Sequence, residues 1–160
     1  MILDKQTADN KLRRMALEVA ERNHDTKELI LIGIKENGIF IAQKIKEYLK
    51  DVFKGNIELM DLWLDKKNPD EIKLSGKIDF NDKSILLIDD VANSGRTMLY
   101  ALKPLLRQLP KQIQTLALVE RTHKKFPVAV DYVGLSVSTT LKENIVVEVA
   151  EGEVIGAWLK

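Results

Sequence analysis

Ile85-Leu86-Leu87-Ile88-Asp89-Asp90-Val91-Ala92-Asn93-Ser94-Gly95-Arg96-Thr97 is the stretch that decides the fold of this chain. Four apolar residues stop at two carboxylates. A short polar loop with one glycine follows, and a helical pattern begins after it. That order predicts a buried strand, a site at its C-terminal end and a helix N-terminus facing the same space. In an open parallel sheet, ligands bind outside the carboxyl ends of the strands. A helix N-terminus with free backbone N–H groups attracts phosphate. Gly95 lets the backbone approach an oxyanion, and Ser94 and Thr97 offer hydroxyl donors. A ligand that carries a phosphate together with hydroxyls or a magnesium ion would satisfy both the acids and the loop. The competing reading is an acidic helix cap and a turn. The joint occurrence of apolar run, acid pair and glycine loop weighs against it.

Working outward, the 160 residues predict one domain over 1–160. Hydrophobic residues make up 45% and charged residues 31%, which suits a buried core under a charged surface. The absence of cysteine excludes disulfides, thiolate chemistry and cysteine metal sites. Apolar runs are far too short for a membrane span. Met1-Ile2-Leu3-Asp4-Lys5 is not a secretory signal, so a cytoplasmic protein is expected. Net charge is +1, from 25 basic and 24 acidic residues, so no global pull toward nucleic acid exists.

Leu12, Met15, Ala16, Val19 and Ala20 recur at helical spacing and predict a helix over 7–23. Strands are predicted over 29–34, 57–64, 85–88 and 113–119, with a helix over 39–49. Residues 65–83 read as a loop or short hairpin. The helix after Gly95 carries Met98, Leu99, Leu102, Leu105 and Leu106, and Pro104 should bend or end it. Short strands near 130–135, 145–149 and 153–158 complete the chain. The alternation predicts an α/β fold with a mainly parallel sheet and an antiparallel or irregular tail.

Gly33-Ile34-Lys35-Glu36-Asn37-Gly38 also joins a strand to a helix. Ile39 and Phe40 stand where a P-loop needs Lys and Ser/Thr, so it is no P-loop. It is either an anion-binding loop or an ordinary turn. Glu120-Arg121-Thr122-His123-Lys124-Lys125 lies at another strand end and, taken alone, is a basic solvated turn. The two histidines, His24 and His123, are too separated in sequence to suggest a metal pair. Trp63 and Trp158 read as packing residues rather than stacking platforms.

The 85–97 stretch resembles the signature of the type I phosphoribosyltransferases. The resemblance extends over nearly the whole chain to the family's bifunctional pyrimidine-operon regulators. Leu31-Ile32-Gly33-Ile34-Lys35, Leu118-Val119-Glu120-Arg121 and Asp131-Tyr132-Val133-Gly134 carry that closer match. The resemblance implies the type I fold, a central mainly parallel sheet flanked by helices with a small hood of short strands. It also implies magnesium-dependent transfer of phosphoribose from phosphoribosyl pyrophosphate to uracil or another nucleobase. Under it, Asp89 and Asp90 hold the ribose hydroxyls and are the catalytic and metal-linked acids. Asn93, Ser94, Gly95, Arg96 and Thr97 bind the 5′-phosphate, and Lys35, Glu36, Asn37 and Gly38 the pyrophosphate. Arg121 and His123 contact the base. A homo-oligomer, a dimer or larger, is implied.

Several positions depart from that pattern. Glu36-Asn37 stands where the family has Thr-Arg, and Thr122 where it has glycine. The family's long Tyr-Arg-Asp-Asp loop is shortened to Asp65–Asp70. Arg14 and Arg22 match RNA-contacting positions, but Arg13 and Leu17 replace others, and the charge balance disfavours RNA. The rivals to an enzyme are a nucleotide-sensing regulatory module and an RNA-binding attenuator.

Overall fold

The computed structural model describes residues 1–140 and 142–160. The first strand is β1 (Leu3–Asp4), and helix α1 (Lys5–Arg22) follows at once. Asp4 caps α1 by accepting the Thr7 N–H at 2.7 Å. Then come β2 (Glu28–Ile34), α2 (Asn37–Leu49), β3 (Asn56–Leu64), β4 (Ile72–Leu74) and β5 (Ser84–Ala92). The short α3 (Arg96–Ala101), β6 (Gln112–Arg121), β7 (Tyr132–Val137), β8 (Ile145–Ala150) and β9 (Glu153–Leu159) complete the order. None of the described helices is long and apolar enough to cross a membrane.

Six strands form the central sheet in the order β4-β3-β2-β5-β6-β7. All neighbours are parallel except β4, which pairs antiparallel with β3. β2 reads as continuous apolar sequence because both faces of the sheet are covered. Leu29 and Leu31 enter the core under α1 and α2, while Ile30 and Ile32 enter the opposite core with Met98 and Leu105. β1, β9 and β8 make a separate three-stranded antiparallel sheet whose Ile145, Val147, Val154 and Ala157 pack into the first core.

Three expectations are corrected. The segment near 130–135 is no irregular tail: β7 continues the parallel sheet, with Tyr132 opposite Leu116. β5 runs on through Ala92, so Asp89 and Asp90 belong to the strand itself. α3 ends at Ala101, before Pro104, and the chain continues in turns. Proline disfavours helical backbone at the residue before it, here Lys103. The turns still bury Leu105 but leave Leu106 63% exposed. The 65–83 segment contains β4, which makes the expected hairpin with β3.

Candidate active site

Among the five parallel strands, β2 and β5 are adjacent, and the next strands in sequence add on opposite sides of the pair. The chain therefore leaves β2 and β5 in opposite lateral directions. A crevice opens at their carboxyl ends, where α/β sheets bind ligands. The β2–α2 loop (Lys35–Glu36), Asn37 at the start of α2 and the β5 acids Asp89 and Asp90 come together there. The Asn37 amide donates to Asp90 Oδ2 at 3.0 Å and to the Val147 carbonyl of β8 at 2.9 Å. One side chain thus ties the β2–α2 loop, the acid pair and the small sheet together.

Asp89 is buried, 2% exposed. Its Oδ1 accepts the Asp90 N–H at 2.9 Å, and Asp90 Oδ1 accepts the Val91 N–H at 2.8 Å. Burial holds the Asp89 carboxyl well above the usual aspartate range, and the Asp90 charge adds to that. The Lys66 ammonium pulls the other way.

Three clefts run along this edge. Lys35, Glu36, Asn37, Leu64, Asp65, Lys66 and Asp90 line one of 380 Å³. A second, of 120 Å³, is bounded by Lys66, Asp89, Asn93, Ser94, Gly95 and Thr97. The third, of 360 Å³, is lined by Asn93, Ser94, Arg121, His123, Lys124, Lys125 and Asn144. Lys66 belongs to the first two, and Asn93 and Ser94 to the last two, so the clefts adjoin. A 360 Å³ cleft elsewhere, between α1, α2 and β9, is different in kind. Its charges answer one another: Lys5 and Lys44 lie 2.5 and 3.8 Å from Glu153, and Arg13 lies 3.0 Å from Asp9.

The 93–97 loop is shaped by Gly95, whose φ of +85° places it in the left-handed region. A Cβ there would also come within 3.2 Å of the Phe126 carbonyl. The Ser94 carbonyl accepts the N–H groups of Lys125 and Phe126, both at 3.0 Å, which joins this loop to the one after β6. Asn93 Oδ1 is buried with no hydrogen-bond partner among the described residues. A buried acceptor left unpaired costs about 1–3 kcal/mol, so a donor brought by a ligand would be favourable there.

The other sequence-derived residues divide in two. Lys35 and Glu36 are exposed on the first cleft, joined by a cis peptide. His123 is exposed on the third. Gly38 and Arg96 line none of these three clefts. Gly38 is buried in the first turn of α2, and a Cβ on it would lie 2.8 Å from the Ile88 carbonyl. Arg96 is exposed, its guanidinium 5.8 Å from the Tyr100 ring centre. Arg121 lines the third cleft while its guanidinium donates to the carbonyls of Thr140 at 3.1 Å and Glu143 at 2.5 Å. Lys124 pairs with Glu120 at 2.7 Å, with both side chains mostly buried. The sequence places Lys66 in the shortened Asp65–Asp70 segment without marking it as a site residue. The signal for it was positional: it follows β3, a parallel neighbour of β2, so it had to emerge on the same edge.

Residues 1–152 match the phosphoribosyl transferase domain family. The chain belongs to that family. Curated relatives include the bifunctional protein PyrR of Bacillus cereus (strain AH820), 35% identical over 94% of this chain and 91% of that protein. PyrR of Streptococcus pneumoniae (strain CGSP14) is 33% identical over 94% and 90%. Among solved structures, the hypoxanthine phosphoribosyltransferase of Trypanosoma cruzi superposes with a TM-score of 0.81, covering 100% of this chain and 97% of that one at 12% identity. A hypoxanthine-guanine phosphoribosyltransferase from Bacillus anthracis gives a TM-score of 0.73 at 18% identity, covering 91% and 85%. At those identities the structural likeness speaks for the fold alone. The family membership makes this chain a phosphoribosyltransferase.

Proposed function

We propose that this phosphoribosyltransferase moves phosphoribose from phosphoribosyl pyrophosphate to uracil in preference to purine bases. The observation that carries the proposal is the set of three adjoining clefts with the acid pair at their centre. The 120 Å³ cleft takes the 5′-phosphate at Ser94, Gly95 and Thr97. Asp89 and Asp90 accept from the ribose hydroxyls. The pyrophosphate lies in the 380 Å³ cleft and the base in the 360 Å³ cleft, beside Arg121 and His123. Transfer breaks the C1′–O bond, whose electron pair leaves with pyrophosphate, while a ring nitrogen of the base bonds to C1′ and gives up its proton to solvent. Groups that stabilise the charge growing on pyrophosphate accelerate this step.

The donor set fits magnesium carried by the substrate. Mg²⁺ is commonly held by one or two carboxylates together with phosphates and water. Asp89 and Asp90 supply two carboxylates, and no group of three metal-ligating side chains occurs among the described residues. Bound there, the ion would neutralise charge on the pyrophosphate. Incubation with phosphoribosyl pyrophosphate, magnesium and each of uracil, hypoxanthine, guanine and xanthine tests the proposal. Uridine monophosphate and pyrophosphate should appear in equal amounts. Faster transfer to any purine would refute the base assignment.

One observation favours a second reading. The Asn37 amide is committed to Asp90 and Val147, so it brings no free donor to the pyrophosphate. A nucleotide sensor with little turnover fits that. Binding of uridine monophosphate without transfer of any base would select it.

RNA binding should be weak. Phosphate neutralisation needs free clustered cations. Arg14 donates to the Val133 carbonyl at 2.8 Å and pairs with Glu18 at 3.1 Å. Arg22 lies over the Tyr132 ring at 4.8 Å. Filter binding to a pyrimidine-operon leader at near-physiological salt should show no preference over scrambled RNA. A preference lost on Arg14→Ala would contradict this.

A further inference from the structure

The β2–α2 loop is poorly equipped to hold a departing polyanion. Glu36 is acidic and exposed, and Gly38 is packed against Ile88 and Asp89. Both N–H groups of the Asn37 amide are used within the chain. Lys35 is the loop's sole cation. Across the crevice, Lys66 follows the end of β3 and lines both the 380 Å³ and the 120 Å³ clefts. It is the one residue common to the two, and they lie on either side of the acid pair. Lys66 is exposed and belongs to none of the chain's ion pairs among the described residues. Its charge is felt at Asp89.

We infer that Lys66, from the β3–β4 connection, supplies the leaving-group cation that the β2–α2 loop lacks, while Asn37 acts as a positioning residue that holds Asp90 against β8. This rests on the transfer reading above. It divides one task between two segments. A lysine ammonium is a compact charge on a flexible stem, suited to a phosphate that must be gripped and then released. A charge-assisted hydrogen bond is about twice as strong as a neutral one, so an ammonium here does more than the Asn37 amide could.

The test uses inorganic pyrophosphate and uridine monophosphate as separate calorimetric probes of the full chain, with turnover measured alongside. Lys66→Ala should weaken pyrophosphate binding roughly tenfold or more, the loss of one charged hydrogen bond. It should lower kcat at least as much, and Lys66→Arg should restore much of both. Lys67→Ala, one residue away and outside both clefts, should change neither. Retained pyrophosphate affinity in Lys66→Ala would overturn the assignment, as would an equal loss in Lys67→Ala. Asn37→Ala should lower kcat and weaken binding through the ribose acids while pyrophosphate affinity holds. Loss of pyrophosphate affinity in that variant would return the role to Asn37. A wild-type protein that binds pyrophosphate but transfers no base would refute the transfer reading and leave the anion site standing. One that binds neither probe would refute both.

Discussion

Asp89→Asn should melt higher than the wild type at neutral pH and bind phosphoribosyl pyrophosphate more weakly. The carboxyl is buried beside a second carboxylate, which keeps its folded-state pKa above the ordinary aspartate value. Between the ordinary value and the raised one, the folded protein holds a proton that the unfolded chain has released. Stability therefore falls as pH rises through that window. Asparagine does not titrate, and its side-chain oxygen keeps the acceptor for the Asp90 N–H. The variant's advantage should be smallest in acid and grow with pH. For a chain of this size each kcal/mol gained raises Tm by roughly 2–4 °C. Binding should move the opposite way. A hydrogen bond to a charged group contributes about 1.5–3 kcal/mol, so affinity should drop roughly ten- to a hundredfold. Thermal melts across pH, paired with calorimetry, read both effects. A variant that is less stable at neutral pH and still binds would show Asp89 to be a structural acid.

Gly38→Ala should damage fold and site together. Alanine is the better helix former by up to about 1 kcal/mol, so propensity alone predicts a gain in α2. Sterics oppose it. The added Cβ would stand 2.8 Å from the Ile88 carbonyl oxygen and 3.1 Å from Asp89 Cα. Both are backbone atoms of a central strand and cannot swing aside. Overpacking of this kind costs about 1–3 kcal/mol, so the net change should be a lower Tm. The relief must come from α2 moving off β5, which shifts Asn37 away from Asp90. Turnover should fall by more than the loss of folded protein explains. Gly76→Ala is the control, since nothing lies within 4 Å of a Cβ there. It should stay within about 0.5 kcal/mol of wild type. If Gly38→Ala matched it in Tm and turnover, close packing of α2 on β5 would not support the site.

The 85–97 stretch was legible because several signals coincide within thirteen residues. An apolar run, an acid pair and a glycine loop together admit few structures. β2 was legible for a related reason, since Leu29–Ile32 is apolar at every position and only a doubly covered strand tolerates that. The helix after Gly95 was over-extended because the apolar spacing of Leu102, Leu105 and Leu106 persists past the point where Pro104 stops the backbone. The periodicity reports burial, and turns can bury Leu105 as well as a helix can.

At the site, residue types pointed to the region but not to direction. Asn37 reads as a loop donor, yet its amide turns inward to Asp90 and β8. Arg121 reads as a base contact, and its guanidinium also donates to the carbonyls of Thr140 and Glu143. Gly38 reads as part of an anion loop, and its role in the fold is to let α2 touch β5. Such commitments depend on strands distant in sequence, β8 above all, whose position relative to the acid pair no local pattern encodes.

A crystal structure of the protein grown with uridine monophosphate tests the central claim most directly. The account predicts the phosphate within hydrogen-bond distance of Ser94, Gly95 or Thr97, the ribose hydroxyls on Asp89 and Asp90, and the base beside Arg121 and His123. A nucleotide seated instead in the cleft between α1, α2 and β9, or with its phosphate away from residues 93–97, would contradict it.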